Sequence, residues 1–300
     1  MTLSEPDVET NPDACWRQLC DAVPAHARIA LEHAYQLAAR AHIGQFRKSA
    51  ADSPRVPYIV HPLRVALVLA NEWNMMKVQM LSAALMHDVI EDCPREYVSA
   101  YECEIKDIFG EAVFDAVCVL TRPTLAPTDV KDAHDARYFS ELRRAAGWVR
   151  AIKCADRVDN LRDALVWRDP KFWSRCSSET IGWHLFLARE TAPIAEAALF
   201  KALIDGERAL NGRVPIWADG HLIDPRAAAL IPEHIARDYQ IIGLALQGSS
   251  LYLGIGNIAN SGAIQAAQSV TKCNIVPIGL SEEAIHDALT ARLYGEVTTL

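Results

Sequence analysis

The feature that most constrains this chain is a group of ionisable side chains within an otherwise apolar helical segment. Residues 76–90 are strongly apolar and predict a buried helix, yet His87 and Asp88 lie within it. Glu91 and Asp92 follow one turn later, and these four positions share one face of a helix. Burying ionisable groups is costly unless an opposite charge offsets them. The pattern therefore favours a divalent cation over the alternative, a solvated acidic helix end.

Other candidate ligands lie in two further segments. His61 stands just before Pro62, which predicts a helix start because proline tolerates the first turn. Asp156 lies on a polar stripe of another predicted helix, for which a solvated face is the alternative. A mixed set of imidazole and carboxylate ligands suits Mn²⁺, Fe²⁺ or Zn²⁺. The candidate ligands are His61, His87, Asp88 and Asp156.

The order of predicted elements indicates a helical part followed by a small mixed part. From Ala14 to about Ile204 the sequence predicts helix after helix, without strand-like alternation. A short helix at about 226–237 then precedes two predicted strands, at 239–244 and 251–255, and a helix–strand–helix sequence. We expect a mainly α helical bundle and a small C-terminal α/β domain. The expected divisions are a tail and first helix at 1–25, a helical domain at 26–205 and an α/β domain at 214–300.

Composition limits the class of partner. The 300 residues include 30 Lys plus Arg and 38 Asp plus Glu, a net charge of −8. A nucleic-acid polymer is therefore not an expected partner, since non-specific binding needs a basic surface. No stretch approaches the roughly 20 apolar residues of a membrane span, and no secretory signal is visible. The eight cysteines form no CxxC pair, which indicates reduced thiols, and we expect a cytoplasmic protein.

Four sequence blocks carry a resemblance to a known family. They are HIGQFRKS at 42–49, PYIVHPLRVA at 57–66, AALMHDVIED at 83–92 and KCADRVDNLR at 153–162. In this order they resemble the HD-domain hydrolases of the RelA/SpoT proteins and the free-standing small alarmone hydrolases. The resemblance covers about residues 26–204, and it implies the helical bundle of an HD domain.

The resemblance also implies an activity and assigns roles. It implies a (p)ppGpp 3′-pyrophosphohydrolase that normally depends on Mn²⁺, with another divalent cation left open. The metal ligands of the family fall on the four candidates given above. Glu91 and Asp92 match the acidic pair that orients or deprotonates the attacking water. Arg47 and Lys48 match the basic pair at the nucleotide, and Asn160 matches the residue at the ribose.

The sequence departs from the family pattern at two places. The loop at 50–56 is longer than usual and lies beside the expected nucleotide pocket. Asp159 stands where the family usually has His or Tyr. For Asp159 we favour a solvated side chain over one that weakens the binding of substrate phosphate. No synthetase region follows, so we expect degradation of the alarmone without synthesis.

A second resemblance covers residues 223–295. It rests on IDPRA at 223–227, LIPEHIARDY at 230–239 and TKCNIVP at 271–277. These blocks are similar to the N-terminal domain of type II secretion and type IV pilus ATPases, of the GspE/MshE type. The similarity implies a docking or regulatory domain for a protein partner or a small-molecule effector, with a purely structural appendage as the alternative.

Other functions remain open from sequence alone. One is an HD phosphohydrolase that acts on a different nucleotide, such as NADPH. Another is a catalytically silent nucleotide-sensing regulator linked to secretion or pilus machinery, against which the intact Glu91–Asp92 pair argues. The sequence leaves a homo-oligomer open as well.

Overall fold

The structure is a computed structural model that describes residues 10–47, 55–126, 130–167, 170–212 and 215–291. Two features singled out from the sequence lie outside these ranges. They are Lys48 and the greater part of the longer loop at 50–56. Among the described residues, no helix combines the length and the apolar character that crossing a membrane requires.

The chain divides into two compact units, each assembled from separate stretches of sequence. The first takes Met1–Ala126, Arg137–Asp169 and Leu187–Ala202; the second takes Pro127–Ala136, Pro170–Phe186 and Leu203–Leu300. The second unit therefore includes 127–136 and 170–186, which the sequence groups with the helical domain. The limits of the functional domains, 26–205 and 214–300, stay predictions.

Helices dominate the described chain, as the sequence predicts. Two π-helical turns, Val68–Glu72 and Thr180–His184, and a 3₁₀ turn at Arg95–Tyr97 interrupt them. In chain order the helices are α1 (Pro12–Ala22), α2 (Ala25–Ala41), α3 (Val60–Leu67), α4 (Val78–Met86), α5 (Val89–Asp92), α6 (Val98–Phe109), α7 (Glu111–Leu120), α8 (Lys131–Arg144), α9 (Gly147–Trp167), α10 (Pro170–Glu179), α11 (Leu185–Arg189), α12 (Pro193–Asn211), α13 (Pro225–Ala228), α14 (Glu233–Tyr239), α15 (Ser261–Thr271) and α16 (Glu282–Thr290).

The core of the first unit lies where α3 and α4 pack against each other and against α2 and α9. Its side chains are fully buried aliphatic residues such as Leu37, Leu63, Leu81, Leu85 and Leu161. Burial of such side chains stabilises a fold by about 1.5–3 kcal/mol each, which keeps these helices in fixed positions. The packing therefore gives a rigid base to the residues that α3, α4 and α9 carry at their ends and faces.

Two long helical stretches are interrupted for identifiable reasons. Residues 98–120 divide into α6 and α7 at Gly110, whose φ of +80° is incompatible with a right-handed helix. Between α10 and α12 the chain passes through a π-helical turn, α11 and a break before Pro193, which begins α12. Proline lacks an amide hydrogen and suits the first turn of a new helix.

The second unit contains the α/β part that the sequence predicts. A hairpin of β1 (Trp217–Ala218) and β2 (His221–Leu222) precedes a three-stranded sheet in the order β3–β4–β5. β3 (Ile241–Gln247) and β4 (Ser250–Ile255) are antiparallel, whereas β4 and β5 (Asn274–Gly279) are parallel and joined through α15. Aliphatic residues of the sheet, α13, α15 and α16 form one buried core.

Gly182 allows a close approach of backbones within the second unit. It lies in the π-helical turn Thr180–His184, and a Cβ at this position would stand 2.0 Å from the carbonyl oxygen of Leu246 in β3. Gln247 adds a hydrogen bond from its side-chain amide to the carbonyl oxygen of Gly182. The turn is therefore part of the α/β unit and not a free helical segment.

We expect Gly182→Ala to destabilise the second unit by about 1–3 kcal/mol, since the added methyl group has no space beside Leu246. Gly262→Ala in α15 is the matched control, because its Cβ would meet its nearest neighbour at an ordinary 3.5 Å. Urea denaturation followed by circular dichroism measures both. Equal stability of the two variants would contradict this packing.

Candidate functional site

His87 and Asp88 lie where the apolar helix stops. α4 ends at Met86, and α5 begins at Val89 after a turn. Asp88 has φ −100° and ψ −1°, a sparsely populated region in which many active-site residues lie. The expectation of one continuous helix over 76–90 is wrong at this point. The break places Asp88 Oδ2 3.1 Å from His87 Nε2, although the two residues are neighbours in sequence.

The four predicted ligands come together at this turn. His61 Nε2, from α3, lies 3.5 Å from Asp88 Oδ2 and 3.2 Å from Asp156 Oδ1, from α9. His87 Nε2 lies 3.9 Å from the same Asp156 oxygen. Ligand atoms of His61, His87 and Asp88 all lie within 4.8 Å of one another. Two imidazole nitrogens and two carboxylates thus surround one small volume.

This arrangement fits a divalent cation. His87 Nε2 is fully buried and has no hydrogen-bond partner among the described residues. An unsatisfied buried polar group costs about 1–3 kcal/mol, and coordination to a metal removes that cost. The donor set of nitrogen and carboxylate oxygen suits a first-row divalent metal. The residues that would hold it are His61, His87, Asp88 and Asp156.

The electrostatics of the site favour positive charge at its centre. Burial and Arg47 act to lower the pKa of His61, yet hydrogen bonds to the surrounding aspartates raise it to about 10. Burial acts to raise the pKa of Asp156, but Lys153 and the two imidazoles hold it well below its usual range. The carboxylates are therefore ionised, and they stabilise a cation between them.

Each imidazole is oriented by a partner at its other ring nitrogen. His87 Nδ1 lies 2.8 Å from the carbonyl oxygen of Ala84, and His61 Nδ1 lies 2.7 Å from Asp159 Oδ2. Because both partners are acceptors, the pairing assigns the ring proton to Nδ1 and leaves Nε2 facing the site. That tautomer is the one required of a metal ligand.

Asp159 does not have the solvated side chain that the sequence favours. The residue is 1% exposed, and Arg64 Nε and Nη2 bind its two oxygens at 2.7 and 3.0 Å. The polar stripe of α9 is buried because Arg64 and His61 supply hydrogen bonds that offset the cost of removing its carboxylates from water.

The acidic pair ends α5 and stays exposed. Glu91 Oε2 accepts a hydrogen bond of 2.7 Å from the backbone N–H of Arg122, which fixes the carboxylate. Desolvation by the surrounding protein raises the pKa of Glu91 against the opposing effect of Lys153. The pKa of Asp92 is raised by desolvation and then by Asp88. A raised carboxylate pKa favours the acceptance of a proton from water.

Two of the predicted nucleotide-binding residues lie in contact. Arg47 Nη2 donates to Asn160 Oδ1 at 2.9 Å, and Asn160 Nδ2 donates to Asp156 Oδ1 at 2.6 Å. Arg47 Nε donates to Asp163 at 2.9 Å, and its side chain is only 10% exposed. The Arg47 guanidinium is therefore engaged within the protein and linked to a candidate metal ligand. Lys48, its predicted partner, lies outside the described residues.

The sequence reasoning missed two residues that contact the ligands. Lys153 Nζ lies 2.9 Å from Asp156 Oδ2, and the Tyr58 hydroxyl donates to Asp88 Oδ2 at 2.7 Å. A signal existed for Lys153, because residues three apart share a helix face. Tyr58 gave no such signal, since Asp88 is 30 positions away along the chain.

The fold and the site correspond to known protein families. The chain matches the HD domain family over residues 34–176 and the MshEN domain family over residues 215–299. The first match contains all four candidate ligands, and the second covers the α/β part. The class defined by fold and site is thus an HD-domain protein with a C-terminal MshEN domain, as both resemblances predict.

Curated relatives define the family more closely. The chain is 33% identical to a "Guanosine-3′,5′-bis(diphosphate) 3′-pyrophosphohydrolase" of Aquifex aeolicus, over 51% of this chain and 20% of that protein. It is 35% identical to "Bifunctional (p)ppGpp synthase/hydrolase SpoT" of Escherichia coli, over 44% of this chain and 18% of that protein. It is 33% identical to "Guanosine-3′,5′-bis(diphosphate) 3′-pyrophosphohydrolase MESH1" of Xenopus tropicalis, over 49% of this chain and 75% of that protein.

These matches place the chain in a family. It spans about a fifth of the length of the two bacterial relatives, but three quarters of the length of the frog protein. The chain belongs to the RelA/SpoT-type HD-domain family.

We expect Mn²⁺ to raise the melting temperature of the protein, because a ligand at a hundred times its Kd stabilises the folded state by about 2.7 kcal/mol. Asp88→Asn should lose most of this rise, since it removes the charge of one ligand. Asp92→Asn is the matched control and should keep the rise. Differential scanning calorimetry with and without Mn²⁺ measures it, and an equal loss in both variants would contradict the ligand assignment.

Proposed function

We propose that this protein hydrolyses the 3′-pyrophosphate of ppGpp and pppGpp, giving GDP or GTP and pyrophosphate. The observation that carries the proposal is the convergence of His61, His87, Asp88 and Asp156 within one small volume. The names of the family members support the choice of substrate. A site that can hold a divalent cation beside carboxylates that are not its ligands is suited to the hydrolysis of phosphate esters.

The cation that we propose is Mn²⁺, on the basis of the mixed nitrogen and oxygen ligands. When bound, a divalent cation lowers the pKa of water and offsets negative charge on the phosphates. Three of its proposed ligands have a hydrogen-bond partner behind them: Asp159 for His61, the carbonyl of Ala84 for His87, and Tyr58 for Asp88. Such outer contacts keep the ligand atoms in place before the cation binds.

The acidic pair supplies the base. We assign Glu91 to take a proton from the attacking water, because the N–H of Arg122 fixes its carboxylate. Asp92 lies beside it and shares this task of orienting the water. The water oxygen forms a bond to the phosphorus attached to the ribose 3′ oxygen. The bond between that phosphorus and the 3′ oxygen breaks, and the 3′ oxygen takes its electron pair and a solvent proton.

Arg47, Lys48 and Asn160 are proposed to form the nucleotide side of the site. The contact of Asn160 with Asp156 at 2.6 Å supports this, because a ribose bound at Asn160 would lie beside the ligand cluster. Hydrogen bonds from Arg47 to Asp163 and Asn160 hold its guanidinium plane in one orientation. Arginine suits this role because its planar group both stacks and donates several hydrogen bonds.

The MshEN domain is proposed to have a docking or regulatory role. Its match to the MshEN family supports a role of its own, with either a protein or a small-molecule effector as partner, and its buried core supports a separately folded domain. A homo-oligomer is a further proposal for the full chain. We propose the cytoplasm as the place of action, since the eight cysteines are single thiols suited to a reducing compartment.

The purified protein should release pyrophosphate from ppGpp when Mn²⁺ is added. Glu91→Gln should lower kcat by about 10²–10⁴-fold, because it removes a proton acceptor while the cation ligands remain. Glu96→Gln, at an exposed position of the 3₁₀ turn, is the matched control and should not change the rate. A coupled pyrophosphate assay measures all three proteins.

A panel of nucleotides in the same assay separates the alternatives. Release of phosphate from NADPH with no reaction of ppGpp would replace the proposed substrate. Binding of ppGpp by a Mn²⁺-loaded protein without release of pyrophosphate would contradict the enzyme and indicate a nucleotide sensor.

A further inference from the structure

The carboxylate of Asp159 lies between a candidate metal ligand and an arginine. Its Oδ2 is 2.7 Å from His61 Nδ1 and 3.0 Å from Arg64 Nη2, while its Oδ1 is 2.7 Å from Arg64 Nε. All three side chains are buried, with exposures of 1%, 1% and 7% for Asp159, His61 and Arg64. The carboxylate therefore has two defined partners, and its position is fixed by both.

The contact with His61 decides which ring nitrogen faces the ligand cluster. Arg64 donates to both oxygens of Asp159, and this two-point ion pair is the arrangement of a carboxylate rather than a carboxylic acid. An ionised carboxylate only accepts hydrogen bonds, and His61 Nδ1 must therefore carry the ring proton. Nε2 therefore faces Asp88 and Asp156, and a bound cation would displace the second ring proton from this nitrogen and take its lone pair.

The two imidazoles of the site differ in the charge of their outer partner. His87 Nδ1 pairs with the neutral carbonyl oxygen of Ala84, whereas His61 Nδ1 pairs with a full negative charge. A carboxylate that accepts from Nδ1 makes Nε2 a stronger electron-pair donor to a metal than a carbonyl oxygen at the same place does. The family usually has His or Tyr at the position of Asp159, so this contact between a carboxylate and the imidazole is a feature of the present chain.

Arg64 prevents Asp159 from turning towards the cation site. It holds both carboxylate oxygens and also donates from Nη2 to Asp163 Oδ1 at 3.0 Å. Asp163 in turn accepts a hydrogen bond from Arg47. Two parallel hydrogen bonds from one guanidinium fix the orientation of the carboxylate plane as well as balancing its charge.

We propose that Asp159 is a positioning residue for the metal ligand His61: its carboxylate, clamped by Arg64, fixes the Nδ1-protonated tautomer and strengthens the hold of Nε2 on a divalent cation. The inference rests on the proposed function only in requiring that the four ligands hold a cation. It does not depend on the identity of the nucleotide.

The test is a titration of the full-length protein with Mn²⁺, in which electron paramagnetic resonance reports the free ion. Asp159→Asn keeps the shape of the side chain but removes its charge, and we expect the Kd for Mn²⁺ to rise about 10–100-fold. Asp163→Asn is the matched control, since it also removes a carboxylate from Arg64 but does not contact His61. Its Kd should stay within about threefold of the original protein.

A second measurement reads the tautomer directly, and its deciding result comes from the unsubstituted protein. In the unsubstituted protein loaded with Zn²⁺, ¹⁵N-resolved NMR of the histidine rings should show His61 protonated at Nδ1. In Asp159→Asn this proton resonance should shift, whereas a purely structural role would leave it in place. A proton on Nε2 of His61 in the unsubstituted protein would overturn the proposal.

The remaining outcomes are also decisive. Equal weakening of Mn²⁺ binding by Asp159→Asn and Asp163→Asn would overturn the proposal. The effect would then come from the contact that both aspartates make with Arg64, and not from the contact of Asp159 with His61. Unchanged Mn²⁺ affinity in Asp159→Asn would overturn it as well. Weakening by Asp159→Asn only, in a protein that releases no pyrophosphate from ppGpp, would support this inference while the proposed function fails.

Discussion

The burial of negative charge around one small volume is the constraint on which the helical unit depends. Four aspartates, from the turn after α4 and from one face of α9, lie almost out of contact with water, and three cationic side chains accompany them. With both imidazoles neutral, as binding of a cation requires, these side chains carry one net negative charge. A divalent cation would change that to one net positive charge, which suits a polyphosphate. The aspartates are Asp88, Asp156, Asp159 and Asp163, and the cations are Arg47, Arg64 and Lys153.

The same contacts link the two sides of the proposed site. One path leaves the ligand cluster at His61 and passes through Asp159 and Arg64 to Asp163. Arg47 continues it to Asn160, which returns to the cluster at Asp156. Residues that would hold the cation and residues that would hold the nucleotide thus belong to one hydrogen-bonded network. Loss of a single charged member removes a partner from two buried groups, which is more costly than loss of a surface ion pair.

The sequence predicted much of this arrangement because the relevant signals are local or belong to a recognised pattern. The four candidate ligands, which the structure brings together, were predicted from His87 and Asp88 in an apolar run and from the four ordered blocks. The sheet was predicted from apolar runs bounded by turn residues. The break after Met86 was not predictable, since nothing in the apolar run marks it. The burial of Asp159 was also not predictable, because its partner Arg64 is 95 positions away. The same limit applies to Gly182, whose role depends on contact with β3.

The most direct test of the account is to crystallise the protein with Mn²⁺ and to record anomalous scattering at the manganese absorption edge. The account predicts one strong peak within bonding distance of Nε2 of His61, Nε2 of His87 and the carboxylates of Asp88 and Asp156. A peak bound by other residues, or no peak at this place in crystals grown at saturating Mn²⁺, would contradict it.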